Sequence, residues 1–347
     1  MTSRREFLTG IAAAGASAVM QRGGASATRR AIDVHHHLVP PKVLAAHREE
    51  FARVGALGGN ETMTKQVLEW TPQISLDLMD AAGVNTAMLS MSTPGSWFGS
   101  VQDGRKMARE ISEMGATMMR DHPGRFGLMA SLPLPDTEGS LKEVEYAMAT
   151  LKADGIGLMT SYDTWPLGHQ MFWPVYEELN HRRTILFVHR TSATCCLNLR
   201  VGPGGIEEFL IDDLRFLNSL LTSGTLNKFP NITWIHGHGD AMLPFVAKLN
   251  GAPINGADRA GKPAWAPNGV QAELKKVYVD TGGANKLHLD ELRKLGMLST
   301  RTMYCSDVPY GRINLTNMRN PAVGLSQAEI DAIQFGTAHQ LFPKYKT

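Results

Sequence analysis

Short apolar runs alternate with amphipathic segments along most of this chain. Eight runs have the length and composition of strands: 31–34, 86–90, 126–131, 155–160, 184–189, 232–236, 276–280 and 302–306. Segments with apolar residues at helical spacing lie between them, at 75–82, 104–121, 140–152, 171–181, 206–221, 287–295 and 326–334. Strands that alternate with helices in this way predict a parallel sheet.

The number of runs favours one closed architecture. Eight parallel strands close a TIM-type (β/α)8 barrel, and we predict this α/β fold as one domain over residues 30–345. A doubly wound open sheet is the alternative. No Gly-x-Gly-x-x-Gly pattern follows the first run, which argues against a dinucleotide-binding fold.

The first 27 residues predict an export signal that is not part of the fold. Arg4 and Arg5 match the twin-arginine pattern, a weakly apolar stretch follows at 10–20, and an Ala-x-Ala cleavage site ends at Ala27. The apolar stretch is too short to span a bilayer, so we expect no stable membrane anchor. We expect a periplasmic or secreted protein, or a cytoplasmic one if the signal is not used. The alternative is an Ala-rich terminus with a chance arginine pair.

Composition and net charge indicate a globular protein and argue against nucleic acid as a partner. The 347 residues are 43% hydrophobic and 20% charged, which is typical of a globular protein with a sizeable core. The formal net charge is only +2 and no basic stripe is present, so nucleic acid is not an expected partner. Three cysteines, two of them adjacent at Cys195 and Cys196, do not predict a disulfide framework.

Histidine and aspartate cluster where the predicted strands end. In a barrel, these carboxyl ends meet at one mouth, where the chemistry of the fold collects. His35 and His37 share one face of the first strand while His36 points the opposite way, because side chains alternate. The other polar residues at or just after strand ends are His189, His236, His238, Asp280 and Asp307. Imidazole and carboxylate groups together suit Zn²⁺, or Mn²⁺ and Fe²⁺ where oxygen ligands dominate.

Several motifs together resemble a known family. They include Asp33-Val34-His35-His36-His37, Phe187-Val188-His189, His238-Gly239, Tyr278-Val279-Asp280 and Ser306-Asp307-Val308-Pro309. In order and spacing, residues 32–343 resemble the amidohydrolase superfamily. The resemblance is to its decarboxylase branch, which acts on aminocarboxymuconate semialdehyde, γ-resorcylate and 6-methylsalicylate.

That resemblance implies a site. It assigns metal binding to His35, His37, His189 and Asp307, and His238 matches the family's catalytic histidine. We favour His238 as the main acid/base and Asp307 as a ligand that relays the proton, because a metal-bound carboxylate tends to stay ionised. Binuclear relatives carry a carbamylated lysine after strand four, but residues 157–163 contain no lysine. We therefore expect one divalent ion, with zinc favoured and manganese as the alternative. Relatives are often dimers, so a homodimer is an expected assembly.

The implied activity is the non-oxidative decarboxylation of a small aromatic or unsaturated hydroxy acid, with a carboxylic acid as the small-molecule partner. A hydrolase of an amide, ester or lactone is the alternative, because a metal-activated water would serve hydrolysis at the same site. A non-catalytic, exported metal-binding protein is a third hypothesis.

Three positions depart from the family pattern and leave substrate recognition open. Arg190 stands where relatives usually carry proline. Leu249, next to Lys248, stands where relatives carry an arginine on the helix after strand six, which in some of them reaches a neighbouring subunit's site. His236 has no family counterpart, and a packed, hydrogen-bonded role for it is favoured over a contact with the site.

Overall fold

Eight parallel strands form one sheet whose spatial order follows the chain. The computed structural model describes residues 31–57, 60–199, 206–238, 242–251 and 262–346, so the predicted signal at 1–27 lies outside the described residues. The strands are β1 (Ala31–His37), β2 (Val84–Ser90), β3 (Phe126–Ser131), β4 (Gly155–Met159), β5 (Ile185–His189), β6 (Thr233–His236), β7 (Tyr278–Asp280) and β8 (Thr302–Met303).

Backbone hydrogen bonds join the last strand to the first and close the barrel. The Val34 N–H donates to the Tyr304 carbonyl at 3.0 Å, and the His37 N–H donates to the Val308 carbonyl at 2.8 Å. The Asp307 N–H donates in turn to the His35 carbonyl at 3.0 Å. The predicted TIM-type barrel is therefore confirmed, and the segment after β8 is held directly beside the histidines of β1.

Helices cover the outside of the barrel. Their ends follow local signals: the Thr71 hydroxyl accepts from the Ile74 N–H at the start of one helix, and Gly83, with φ of 79°, ends it. The helices are α1 (Pro41–Ala46), α2 (Arg48–Arg53), α3 (Glu61–Leu68), α4 (Pro72–Ala82), α5 (Val101–Asp121), α6 (Thr137–Glu145), α7 (Trp173–His181), α8 (Ile206–Thr222), α9 (Thr225–Lys228), α10 (Leu243–Leu249), α11 (Val270–Leu274), α12 (Lys286–Lys294), α13 (Gln327–Asp331) and α14 (Thr337–Leu341). Among the described residues, none of these helices has the length and apolarity needed to cross a membrane.

Two apolar clusters form the core. The larger one packs the outer faces of the strands against the helices. The smaller one draws side chains from seven of the eight strands and therefore fills the barrel interior: Ile32, Val34, Met88, Met129, Phe187, Ile235, Tyr278 and Met303, with Ala338, Phe342 and Tyr345 from the C-terminal segment. The Phe187 ring lies 4.9 Å from the His35 ring, so this interior cluster is the floor of the polar mouth.

A bulge in β1 decides which way its histidines point. Ile32 and Val34 belong to the interior cluster, so strict alternation would turn His35 away from it. The pairing of β1 with β2 is irregular between Asp33 and His36, where three steps along β1 match two along β2. The extra residue of a bulge reverses the alternation, so Val34 and His35 both face inward.

Candidate metal centre

Four side chains from different parts of the sequence meet at the barrel mouth. His35, His189, His238 and Asp307 each offer one ligand atom, and these atoms all lie within 4.8 Å of one another. His37 joins them, because its Nε2 lies 3.0 Å from the His35 Nε2 and 3.0 Å from the Asp307 Oδ1. The structure therefore brings together every residue that the sequence predicted for the site.

Neighbouring acceptors orient the two histidines of β1. The His35 Nδ1–H donates to the Asp280 Oδ2 at 2.7 Å, and the His37 Nδ1–H donates to the Ser90 carbonyl at 3.2 Å. A neutral imidazole that donates from Nδ1 keeps its lone pair on Nε2. Against the effect of burial, Asp280 and Asp307 raise the pKa of His35, whereas burial lowers the pKa of His37. In the neutral form that binds metal ions, both rings would direct an Nε2 lone pair into the cluster, as in the carboxylate–histidine–metal arrangement of metal sites.

Asp280 was noted in the sequence only as a strand end, and its role follows from the structure. Its Oδ1 accepts from the backbone N–H groups of His238, at 2.9 Å, and Gly282, at 2.8 Å. Burial alone would raise its pKa, but His35 and the hydrogen bonds lower the pKa to about 2. Asp280 is therefore an ionised carboxylate that positions both a ligand histidine and the His238 backbone.

His36 faces the opposite side of β1, as its position in the strand predicts. Its Nδ1 lies 3.0 Å from the Asp33 Oδ2 and its Nε2 lies 2.8 Å from the Ser75 hydroxyl on α4. The Ser75 hydroxyl also accepts from the Trp70 indole at 2.9 Å. This buried network joins the barrel to α4. It borders the metal centre through the backbone, because the Asp33 Oδ1 accepts from the N–H groups of His35 at 3.3 Å and Ser306 at 3.0 Å.

Two site residues have left-handed backbone conformations. His238 has φ of 58° and Asp307 has φ of 59°, values that residues other than glycine rarely adopt. Strand alternation ends with β6 at His236, and the left-handed turn then directs His238 into the mouth. A Cβ atom at Gly282 would lie 2.4 Å from the His238 Nδ1, so the glycine leaves the space for that ring. Backbone strain of this kind concentrates at functional sites.

Burial and mutual contacts shift the titration of the cluster. Burial tends to raise the pKa of Asp307, but His238, His37 and His35 hold that pKa below its ordinary value. Burial lowers the pKa of His189 well below its usual range and, with the Arg190 charge, lowers the pKa of His238 to about 3. Both imidazoles are therefore neutral near pH 7, and neutral imidazole is the form that binds metal ions.

His236 belongs to a separate buried group outside the barrel. Its Nε2 lies 2.9 Å from the Asp213 Oδ1 on α8, and the Arg190 Nε lies 3.7 Å from the Asp213 Oδ2. This placement agrees with the packed, hydrogen-bonded role. His236 ends β6, and the left-handed turn at His238 directs the second histidine to a different side. Lys248, at the end of α10, is exposed.

A cavity of about 960 Å³ opens directly above the cluster. His189, His238 and Asp307 form its polar floor, and Arg190 lies beside them. Apolar residues form much of the wall, among them Ala56, Met63, Phe209, Leu210 and Met318. Two tryptophans of neighbouring loops pack elsewhere: Trp70 is buried and Trp97 packs against the core.

The family model described as "Amidohydrolase" matches residues 32–343. The chain belongs to the amidohydrolase family. Decarboxylase yanB from Aspergillus niger is 31% identical over 335 residues, which cover 91% of this chain and 88% of that protein. The 6-methylsalicylic acid decarboxylase of Penicillium expansum is 33% identical over 221 residues, which cover 62% of this chain and 65% of that protein. The amidohydrolase resemblance is confirmed, and both of these relatives are decarboxylases.

Solved structures show the same fold. 5-Carboxyvanillate decarboxylase LigW from Sphingomonas paucimobilis matches with a TM-score of 0.78 at 19% identity, covering 91% of this chain and 99% of that one. A dihydroxybenzoic acid decarboxylase from Polaromonas, solved with bound manganese and 2-nitroresorcinol, matches with a TM-score of 0.74 at 19% identity, covering 92% and 98%.

Proposed function

We propose that this amidohydrolase-family chain is a metal-dependent, non-oxidative decarboxylase of a small aromatic hydroxy acid. The observation that carries the proposal is the convergence of His35, His37, His189, His238 and Asp307 in one cluster, of which His189, His238 and Asp307 line the cavity. The decarboxylase relatives favour this chemistry over the hydrolysis that the same residues would also support.

The donor set fits one divalent cation. The Nε2 atoms of His35 and His37 are 3.0 Å apart, and both point toward Asp307. We assign His35, His37, His189 and Asp307 as the ligands. When bound, the ion orients a carboxylate with its neighbouring hydroxyl and stabilises negative charge that develops on the substrate. Zinc remains the sequence-based prediction, and the manganese in the Polaromonas enzyme supports the alternative.

After strand four, the chain offers hydroxyls rather than a bridging lysine. The hydroxyls of Thr160 and Ser161 lie 2.5 Å and 2.8 Å from the Asp212 carboxylate, so they are held away from the cluster. This arrangement supports a mononuclear site. Metal analysis is expected to give one equivalent per chain, and two equivalents in the barrel mouth would contradict the assignment.

His238 is the proposed acid/base. Its Nε2 lies 3.5 Å from the Asp307 Oδ2, and its ring lines the cavity beside the ligands. Loss of CO₂ breaks the bond from the ring carbon to the carboxyl carbon, and the electron pair stays with the ring until that carbon takes a proton. A neutral His238 must first gain this proton, and a bound anionic substrate would favour the protonated form. Asp307 is placed to relay it.

The deciding experiment measures CO₂ release. Metal-loaded protein is incubated with 6-methylsalicylate, 2,6-dihydroxybenzoate and 5-carboxyvanillate, and separately with lactones and esters. We expect CO₂ from at least one acid and no hydrolysis. Hydrolysis without CO₂ would establish the alternative, and metal binding with neither activity would establish the non-catalytic hypothesis. Full turnover by His238→Ala would contradict the acid/base assignment.

Export through the twin-arginine route and homodimer formation complete the proposal. The Arg4–Arg5 pair and the Ala-x-Ala site support export, and the homodimer is what the family resemblance implies. Cell fractionation with an Arg4→Lys/Arg5→Lys control tests the first, and equal distribution of both forms would contradict it. Light scattering tests the second.

A further inference from the structure

Beside the metal centre, one buried arginine has an Nε atom without a hydrogen-bond partner among the described residues. Arg190 is the first residue after β5, its side chain is only 13% exposed, and it lines the cavity next to His238. The other cationic residues of the lining differ: Arg312 is exposed, and Lys286 is ion-paired with Asp290 at 2.5 Å. Arg190 therefore combines burial with access to the cavity.

The buried partner of Arg190 is shared with another side chain. Asp213 is fully buried, and its Oδ1 is already 2.9 Å from the His236 Nε2. Its Oδ2 lies 3.7 Å from the Arg190 Nε, which is longer than a hydrogen bond. The Arg190 Nε is buried without a hydrogen-bond partner in the part of the chain that the structure describes. Asp213 thus tethers the guanidinium but does not satisfy it.

An unsatisfied buried cation at the wall of a substrate cavity favours an anion. We infer that Arg190 binds the carboxylate of the aromatic acid that loses CO₂, while Asp213 and His236 hold the guanidinium in place. This inference rests on the proposed decarboxylase function. The chain has Leu249 where relatives carry an arginine on the helix after strand six, so recognition of the carboxylate has to come from another residue.

The inference predicts that Arg190 contributes to the affinity for the acid substrate but not to the affinity for the phenol product. The carboxylate is present in the substrate and absent from the product, so Arg190 strengthens binding of the acid and not of the phenol. An interaction made with the bound carboxylate changes affinity for the acid, so the comparison is made on the binding of acid and phenol rather than on kcat. Since arginine offers a planar fork to a carboxylate and lysine does not, Arg190→Lys restores charge but only part of the binding.

The test compares 6-methylsalicylate with 3-methylphenol, its decarboxylation product, on metal-loaded protein. Affinity for the acid is measured as KM if it is turned over and by calorimetry if it is not, and affinity for the phenol is measured as an inhibition or dissociation constant. We expect Arg190→Gln to weaken binding of the acid roughly 10- to 100-fold and binding of the phenol less than about twofold. Arg190→Lys is expected to lie between Arg190→Gln and wild type.

Two controls separate recognition from other effects. Arg312→Gln removes a charge from the exposed wall of the same cavity, and an equal loss in this variant would overturn the inference in favour of general electrostatic attraction. Metal content and thermal unfolding of Arg190→Gln verify that the site is intact. Unchanged acid affinity in Arg190→Gln, with wild type still releasing CO₂, overturns the inference alone. Wild type that neither binds nor decarboxylates any acid of the panel overturns the proposed function as well.

Discussion

The two faces of β1 carry three consecutive histidines in opposite situations. On the outer face, both ring nitrogens of His36 have partners from the chain itself, Asp33 and Ser75. On the inner face, only the Nδ1 atoms of His35 and His37 have such fixed acceptors. Their Nε2 atoms face each other and Asp307 across about 3 Å.

This difference separates a structural histidine from a ligand histidine. A buried polar group that the chain satisfies at every position stabilises the fold and has no capacity left for a ligand. A ring that is fixed at one nitrogen and crowded by other electron-pair donors at the second is suited to a shared cation. The two faces are therefore expected to respond differently to the same substitution.

The largest expected effect is on the inner face. His37→Ala or His35→Ala removes a proposed ligand, and we expect turnover to fall at least about 10³-fold because metal-ion catalysis is worth several kcal/mol. Metal content, measured by mass spectrometry, is expected to fall with it. His36→Ala is the matched control on the same strand. If it lost metal as His37→Ala does, the distinction between the two faces would be wrong.

The outer face is expected to change stability instead. His36→Ala leaves a cavity and removes one partner each from the buried Asp33 and Ser75, so we expect a loss of about 2–4 kcal/mol in the free energy of unfolding. Urea denaturation of the metal-free protein measures it, with His37→Ala as the comparison. We expect kcat per bound metal ion to stay within about twofold of wild type. A large drop in that value would place His36 in the active site.

Much of the barrel and of the metal centre could be predicted from the local periodicity of the sequence. The order of the strands and the shared face of His35 and His37 depend on neighbouring residues, so both were predictable. Strand ends were less so, since β1 runs to His37 rather than 34 and β8 ends at Met303 rather than 306. The contact of His35 with Asp280 joins positions 245 apart, and it depends on the closure of the whole barrel. The bulge in β1 and the left-handed turn at His238 reverse alternation locally, and neither has a distinct signal in one sequence.

Asp280 provides an intermediate test, because it acts on the inner face through another residue. Asp280→Asn keeps an acceptor for the backbone of His238 but removes the negative charge that orients His35. We expect metal affinity to fall about 10- to 100-fold, as for other residues that orient metal ligands. Competition with a chelator measures the affinity. An unchanged affinity would mean that the Nε2 of His35 is not a ligand, and the comparison would then rest on His37 alone.

The smallest expected effect is on stability, at the partly exposed ion pair of Glu329 with Arg293. As for His36 on the outer face of β1, the chain supplies the polar partners, but here solvent reaches them. Glu329 accepts from Arg293 at 2.7 Å and from the Ser326 N–H at 2.8 Å, and these contacts lower its pKa to about 2. Because the pKa is lowered on folding, the stabilisation is present above the unfolded value of about 4.5 and is lost as pH falls toward 2. Because Arg293 is 37% exposed, screening by solvent reduces the contribution of the pair, and Glu329→Gln is expected to cost about 1 kcal/mol in the free energy of unfolding at pH 7.

Urea denaturation at pH 7, 5, 4 and 3 measures the gap in the free energy of unfolding between Glu329→Gln and wild type, and this gap should narrow below pH 4.5. Glu291→Gln is the control, because Glu291 pairs with the exposed Lys294 and its loss should leave stability near wild type throughout. A gap that stayed constant down to pH 3 would mean that packing rather than charge stabilises this network. The pair would then not contribute through the ionised Glu329 carboxylate.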